Sequence, residues 1–96
     1  MTSKQRAYLK SLAMNADTIM NIGKSSLTLE VCTAVSEALE KRELVKIGVL
    51  KNCLDDPKEI AAVMAERTHS QVVQVIGKKI VLYKKRKKDP KIVLPE

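Results

Sequence analysis

A chain of 96 residues with 18 Lys and Arg against 11 Asp and Glu, a formal charge of +7 and 45% hydrophobic residues suits one domain around a single apolar core. It has two Tyr and no Phe or Trp, so the core must be aliphatic, and stacking of single-stranded bases on aromatic rings is disfavoured as the main mode of binding. No apolar run approaches the roughly 18 residues of a membrane span, and Met1 to Arg6 lack the apolar stretch of a signal peptide, so a cytoplasmic protein with a polyanionic partner is expected.

Ser3 can cap a first helix over Lys4 to Ala16, with Tyr8, Leu9, Leu12 and Ala13 on one face and Lys4, Arg6 and Lys10 left to solvent. A short extended piece, Thr18 to Ile22, leads into Gly23-Lys24-Ser25-Ser26. From Thr28, which caps it, a second helix shows Val31, Cys32, Val35, Ala38 and Leu39 as an apolar stripe. Glu43 to Leu50 reads as a strand rich in Val, Ile and Leu. Asp55-Asp56-Pro57 starts a third helix, running to Thr68, because proline at the first helical position gives up an N–H that has no partner there anyway. Its Ile60, Ala61, Met64 and Ala65 face inward. Gln71 to Ile76 and Lys79 to Tyr83 flank the two-residue turn Gly77-Lys78 as a hairpin, and both runs are so apolar that alternation leaves the buried side open.

Beyond Tyr83 the composition turns abruptly to Lys84-Lys85-Arg86-Lys87-Lys88-Asp89-Pro90, which cannot build a core. Residues 84–96 carry six basic and two acidic side chains and so hold +4 of the +7. The chain therefore divides into an ordered domain, residues 1–84, and a basic flexible tail, residues 85–96. Such a run is either a solvated terminus or an electrostatic arm for nucleic acid.

The segment Asn21 to Thr28 sets a glycine and a lysine between a strand and a helix start. Free amides at a helix N-terminus, the positive end of its dipole and an ammonium can converge on one phosphate. The plainer alternative is a strand-to-helix turn in which Gly23 relieves backbone strain and Thr28 only caps. Gly23-Lys24-Ser25 also ends like a Walker A loop, but that motif needs a glycine five positions earlier, where Thr18 stands. Nucleotide hydrolysis is thereby rejected while phosphate contact survives. Catalysis is hard to assemble, since His69 is the single histidine and no nucleophile has a partner at motif spacing. Cys32 and Cys53 lack metal-ligand spacing and read as small buried hydrophobes, and Asp55 and Asp56 are better explained by capping than by a metal. No catalytic site, metal, cofactor or small-molecule substrate is expected.

Four segments together resemble the CRM domain (chloroplast RNA splicing and ribosome maturation) in its stand-alone bacterial form, the YhbY-like RNA-binding proteins. They are the opening Lys4-Gln5-Arg6-Ala7-Tyr8-Leu9, the loop Ile22 to Thr28, the segment Ala38 to Ile47 and the hairpin Val72 to Tyr83. The resemblance implies a two-layer α/β domain in the order α-β-α-β-α-β-β, with helices packed on a four-stranded mixed sheet, similar to the C-terminal domain of a bacterial translation initiation factor. It also implies association with precursor large ribosomal subunits. In the family the loop commonly reads Gly-x-x-Gly, and its analogue in KH domains clamps a nucleic-acid backbone. Here Ser26 replaces the second glycine, and its hydroxyl can donate to a phosphate instead.

These readings converge on a non-enzymatic RNA-binding protein that contacts ribosomal RNA through phosphates. The expected contacts are Gly23, Lys24, Ser25, Ser26 and Thr28, flanked by Lys4, Arg6 and Lys10, with Lys78, Lys79 and the arm Lys84, Lys85, Arg86, Lys87 and Lys88 adding reach. The alternative is an adaptor held on ribosomal particles by protein contacts; a membrane role is disfavoured because Ile92, Val93 and Leu94 lie in no amphipathic helix.

Overall fold

The computed structural model describes residues 1–95, so Glu96 of the expected tail lies outside the described residues. The elements run α1 (Ser3–Met14), β1 (Thr18–Ile22), α2 (Leu29–Arg42), β2 (Leu44–Val49), α3 (Pro57–Thr68), β3 (Gln71–Ile76) and β4 (Lys79–Tyr83). Local chemistry explains most boundaries. The Thr28 hydroxyl accepts from the Val31 amide at 3.1 Å, and Asp56 caps α3 with Pro57 behind it. At α1 the cap is Thr2 rather than Ser3, because Gln5 completes a reciprocal capping box with Thr2. That helix also stops at Met14, two residues short of the expected end.

The sheet order is β1-β2-β4-β3, with β1 parallel to β2 and β4 antiparallel to both of its neighbours. The strands β1, β2 and β3 therefore all end at one edge of the sheet. The loops of residues 23–28 and 50–56 and the hairpin turn Gly77-Lys78 gather at this upper edge, as do the N-termini of α2 and α3. The lower edge holds Glu43, the α3 to β3 turn and the exit of β4.

Helices lie on both faces of the sheet, which corrects the expected two layers to three. Val35 and Leu39 of α2 and Ile60, Ala61 and Met64 of α3 pack on Val45, Ile47, Ile80 and Leu82. On the opposite face Leu9 and Ala13 of α1 pack on Val73, Val81 and Tyr83. Alternation in β4 leaves its buried side open because both faces are buried, each by a different helix. Burial of each large aliphatic side chain contributes about 1.5–3 kcal/mol. Tyr8, expected in this seam, turns outward and is exposed, whereas Cys32 and Cys53 are buried and free as read from the sequence. No helix among the described residues is long and apolar enough to cross a membrane.

The backbone of the basic tail beyond Tyr83 meets an acceptor in the domain. Glu43, fully buried at the lower edge, accepts backbone N–H bonds from Arg86 (3.3 Å), Ile92 (3.0 Å) and Lys91. Its own carbonyl accepts from the Lys84 amide, and Ile92 and Leu94 pack against the α1-side core. The tail charges were legible from sequence; the acceptor that organises them stands more than 40 residues earlier.

Candidate nucleic-acid interface

At the upper edge the chain leaves β1 with the Leu50 amide donating to the Ile22 carbonyl, which sets Gly23 beside the loop after β2. A Cβ built on Gly23 would meet Asn52 and Leu50 at an ordinary 3.6 Å, so neither space nor backbone angle demands glycine there. The strain sits three residues on. Ser26 has φ 54, in the left-handed region where glycine is favoured, and its amide closes the turn onto the Gly23 carbonyl at 2.9 Å. Ser26→Gly should therefore stabilise the fold by about 0.5–1 kcal/mol, the relief of a left-handed residue less the extra freedom glycine gains when unfolded. A shift of the urea midpoint to lower denaturant would contradict this.

Lys24 and Ser25 are exposed, and Ser26 and Thr28 are half-buried. The amides of Ser26, Val31 and Cys32 are taken by Gly23, by the Thr28 hydroxyl and by the Thr28 carbonyl. Among the described residues, those of Lys24, Ser25, Leu27, Leu29 and Glu30 have no protein acceptor. The loop thus offers an outward lysine and several unused donors above the positive end of α2. Thr28 is committed to capping through its oxygen acceptor.

Neighbouring loops bring further charge. The Val49 amide donates to the Lys78 carbonyl at 2.7 Å, which fixes the hairpin turn beside the end of β2. Lys78 and Lys79 are exposed there, as is Lys51 in the loop next to Gly23. Lys51 escaped the sequence reading; only the parallel pairing of β1 with β2 shows that their two C-terminal loops are neighbours. On its α3 side the loop is lined by Asp55 and Glu59. An anion is therefore favoured on the β2 to β4 side of the edge and repelled on the α3 side.

The other expected contacts divide. Arg6 is not left to solvent: its guanidinium donates to the Val72 and Val73 carbonyls at 2.7 and 2.8 Å, where β3 carries a bulge. It is a tertiary clamp, invisible from sequence because its partners lie 66 and 67 residues away. Lys4 is exposed two residues before it, at the end of α1 that sits on the lower half of β3. Lys10 lies nearer the open part of the sheet. Lys84, Lys85, Arg86, Lys87 and Lys88 surround Leu39 and Glu40 at the C-terminal end of α2. The 14 residues of α2, roughly 20 Å of helix, separate that cluster from Lys24. Cations at a helix C-terminus complement its dipole, so the cluster has a structural role in either case. Burial pushes the Glu43 carboxyl up, but the Lys91, Ile92 and Arg86 amides and the Arg86 charge together hold it below its ordinary value. Burial, and then the Glu43 charge, push the Tyr83 phenol up.

Among the described residues no three His, Cys, Asp or Glu side chains gather as a metal would require. The family model of the CRS1 / YhbY (CRM) domain matches residues 1–84. Among curated proteins, the chain is 40% identical over 95 residues to "Probable RNA-binding protein YqeI" of Bacillus subtilis, covering 99% of both chains. It is 30% identical over 95 residues to "RNA-binding protein" of Haemophilus influenzae, covering 99% of this chain and 95% of that one. The solution structure of hypothetical protein SAV1595 from Staphylococcus aureus superposes with a TM-score of 0.83 at 45% identity over 99% of each chain. In sequence along its ordered length, and in the arrangement of three helices on a four-stranded mixed sheet, this chain belongs to the CRS1/YhbY (CRM) domain family.

Proposed function

We propose that the protein is a non-enzymatic RNA-binding protein that holds an RNA backbone at the upper edge of its sheet. The observation that carries this reading is the outward Lys24 over unused amides of the loop and of the first turn of α2, flanked by Lys51, Lys78 and Lys79. Two relatives that span the same length bear names that assign them to RNA. Phosphate contacts position a protein without reading bases, so selectivity arises from RNA shape. The family resemblance favours ribosomal RNA of the precursor large subunit, in the cytoplasm, during ribosome assembly. The tail cluster would touch RNA only as a second, distant contact.

Sedimentation of lysate tests this assignment against a protein-held adaptor. The protein should travel with large-subunit precursors and leave them when ribonuclease digests exposed RNA. Retention after digestion, with Lys24→Ala sedimenting like the unmodified protein, would contradict the RNA reading.

A further inference from the structure

The α1 helix covers only part of its face of the sheet. Beside it, toward the upper edge, lies an open groove of about 560 Å³, within the range of small-ligand sites. Met14 and Ile76 stand 81% and 60% exposed on it, with Ala13 and Val81 also lining it. Its charged lining residues are Lys10, Lys46 and Lys79, without a carboxylate. Two of the ammonium groups are held in place: Lys46 donates to the Ala13 carbonyl at 3.4 Å, and Lys79 to the Thr18 hydroxyl at 3.3 Å. Each keeps further donors free.

The groove adjoins the loop edge. A Cβ on Gly48 would fall 2.3 Å from the Asn21 side-chain oxygen and 3.1 Å from the Lys79 ammonium, so both side chains lie over this glycine. Asn21 is two residues before Gly23, and Lys79 follows Lys78 of the hairpin turn. A backbone held at the loop thus has a continuous path across Asn21 and Lys79 into the groove.

An exposed aliphatic floor beside three cations complements a ligand with one flat, weakly polar part and one anionic part. Resting on the RNA-binding reading above, we propose that the groove is a subsite for an unpaired nucleotide of the bound RNA. Its base lies on Met14 and Ile76, and its phosphate meets Lys79 and Lys10. Gln74, half-buried in the same lining, presents an amide that can donate to and accept from a base edge. The aliphatic floor lets a chain almost without aromatic residues take an unstacked base.

The test uses the full chain and three RNA hairpins with the same stem: one fully paired, one with a two-nucleotide bulge, and one with the bulge nucleotides abasic. The bulged RNA should bind about tenfold tighter than the other two, the gain expected from burying roughly 50–60 Å² of apolar surface under one base. Met14→Ser and Ile76→Ser, both at exposed positions, should abolish that preference and leave affinity for the paired hairpin unchanged. Equal binding of all three RNAs, persistence of the preference with abasic nucleotides, or its persistence in both serine variants would overturn the subsite. Equal binding of the three RNAs, together with binding of an acidic apolar peptide that both serine variants abolish and that no RNA displaces, would overturn it in favour of a protein ligand. Loss of affinity for all three RNAs in Lys24→Ala is a separate readout, of the loop itself, so failure of the subsite and failure of the RNA reading are distinguishable.

Discussion

Replacing Glu43 with alanine should lower the free energy of unfolding by about 3 kcal/mol, because a buried carboxylate and the amides it satisfies are uncoupled together. The side chain is fully buried and accepts from Arg86, Lys91 and Ile92. Without it, those amides must find water, and Ile92 and Leu94 lose the anchor that lays them on the α1-side core. Hydrogen exchange at Lys91 and Ile92 should accelerate more than exchange in β2 or β4. Glu43 also has φ 64, which disfavours any residue with a Cβ. Glu43→Gly should accordingly cost about 1 kcal/mol less than Glu43→Ala, since it removes the acceptor but relieves the backbone.

The same residue sets a pH dependence. Its carboxyl is held below the ordinary 4.5, so the folded state binds its proton less readily than the unfolded state does. The stabilisation is complete at neutral pH and is lost as pH falls below about 4.5 through the lower folded-state value. Glu43→Gln should flatten the acid limb of the stability profile. An acid limb as steep in Glu43→Gln as in the unmodified protein would place the responsible group elsewhere.

Charge reversal at the upper edge should have the largest effect on RNA. Lys24→Glu combined with Lys78→Glu replaces two cations of the upper edge by carboxylates, on an edge whose α3 side already carries Asp55 and Glu59. Loss of two phosphate contacts and the added repulsion should weaken binding roughly a hundredfold at 0.15 M salt. Both lysines are exposed, so the urea midpoint should hardly move. The matched reversal Lys87→Glu with Lys88→Glu, at the far end of α2, should cost much less. Equal losses for the two pairs would make the tail an equal partner in the site.

The parts that local chemistry writes are legible in the sequence alone. The stripe Val31, Cys32, Val35, Ala38 and Leu39, the cap at Thr28, the Asp56-Pro57 start and the Gly77-Lys78 turn each depend on residues within a few positions of one another. What escaped depends on distant pairing. Arg6 looks like any solvent-facing helical arginine until β3 supplies two carbonyls, and Glu43 looks like any strand-edge glutamate until the tail returns to it. The side of the sheet taken by α1 could not be read from β4, whose residues are apolar on both faces. Within the candidate site, Lys24 and the loop were visible as a motif. Lys51 and Lys46 became visible only once the strand order brought the loop after β2 beside the loop after β1 and set Lys46 beneath the end of α1.

The most direct test of backbone capture at the upper edge is the salt dependence of binding to a structured ribosomal RNA fragment, measured for the unmodified protein and for Lys24→Gln with Lys78→Gln. With about five phosphates neutralised, log affinity against log salt should slope roughly −3 to −5, and the double variant should be shallower by roughly 1.5. A slope near zero, or one that the two substitutions leave unchanged, would contradict it.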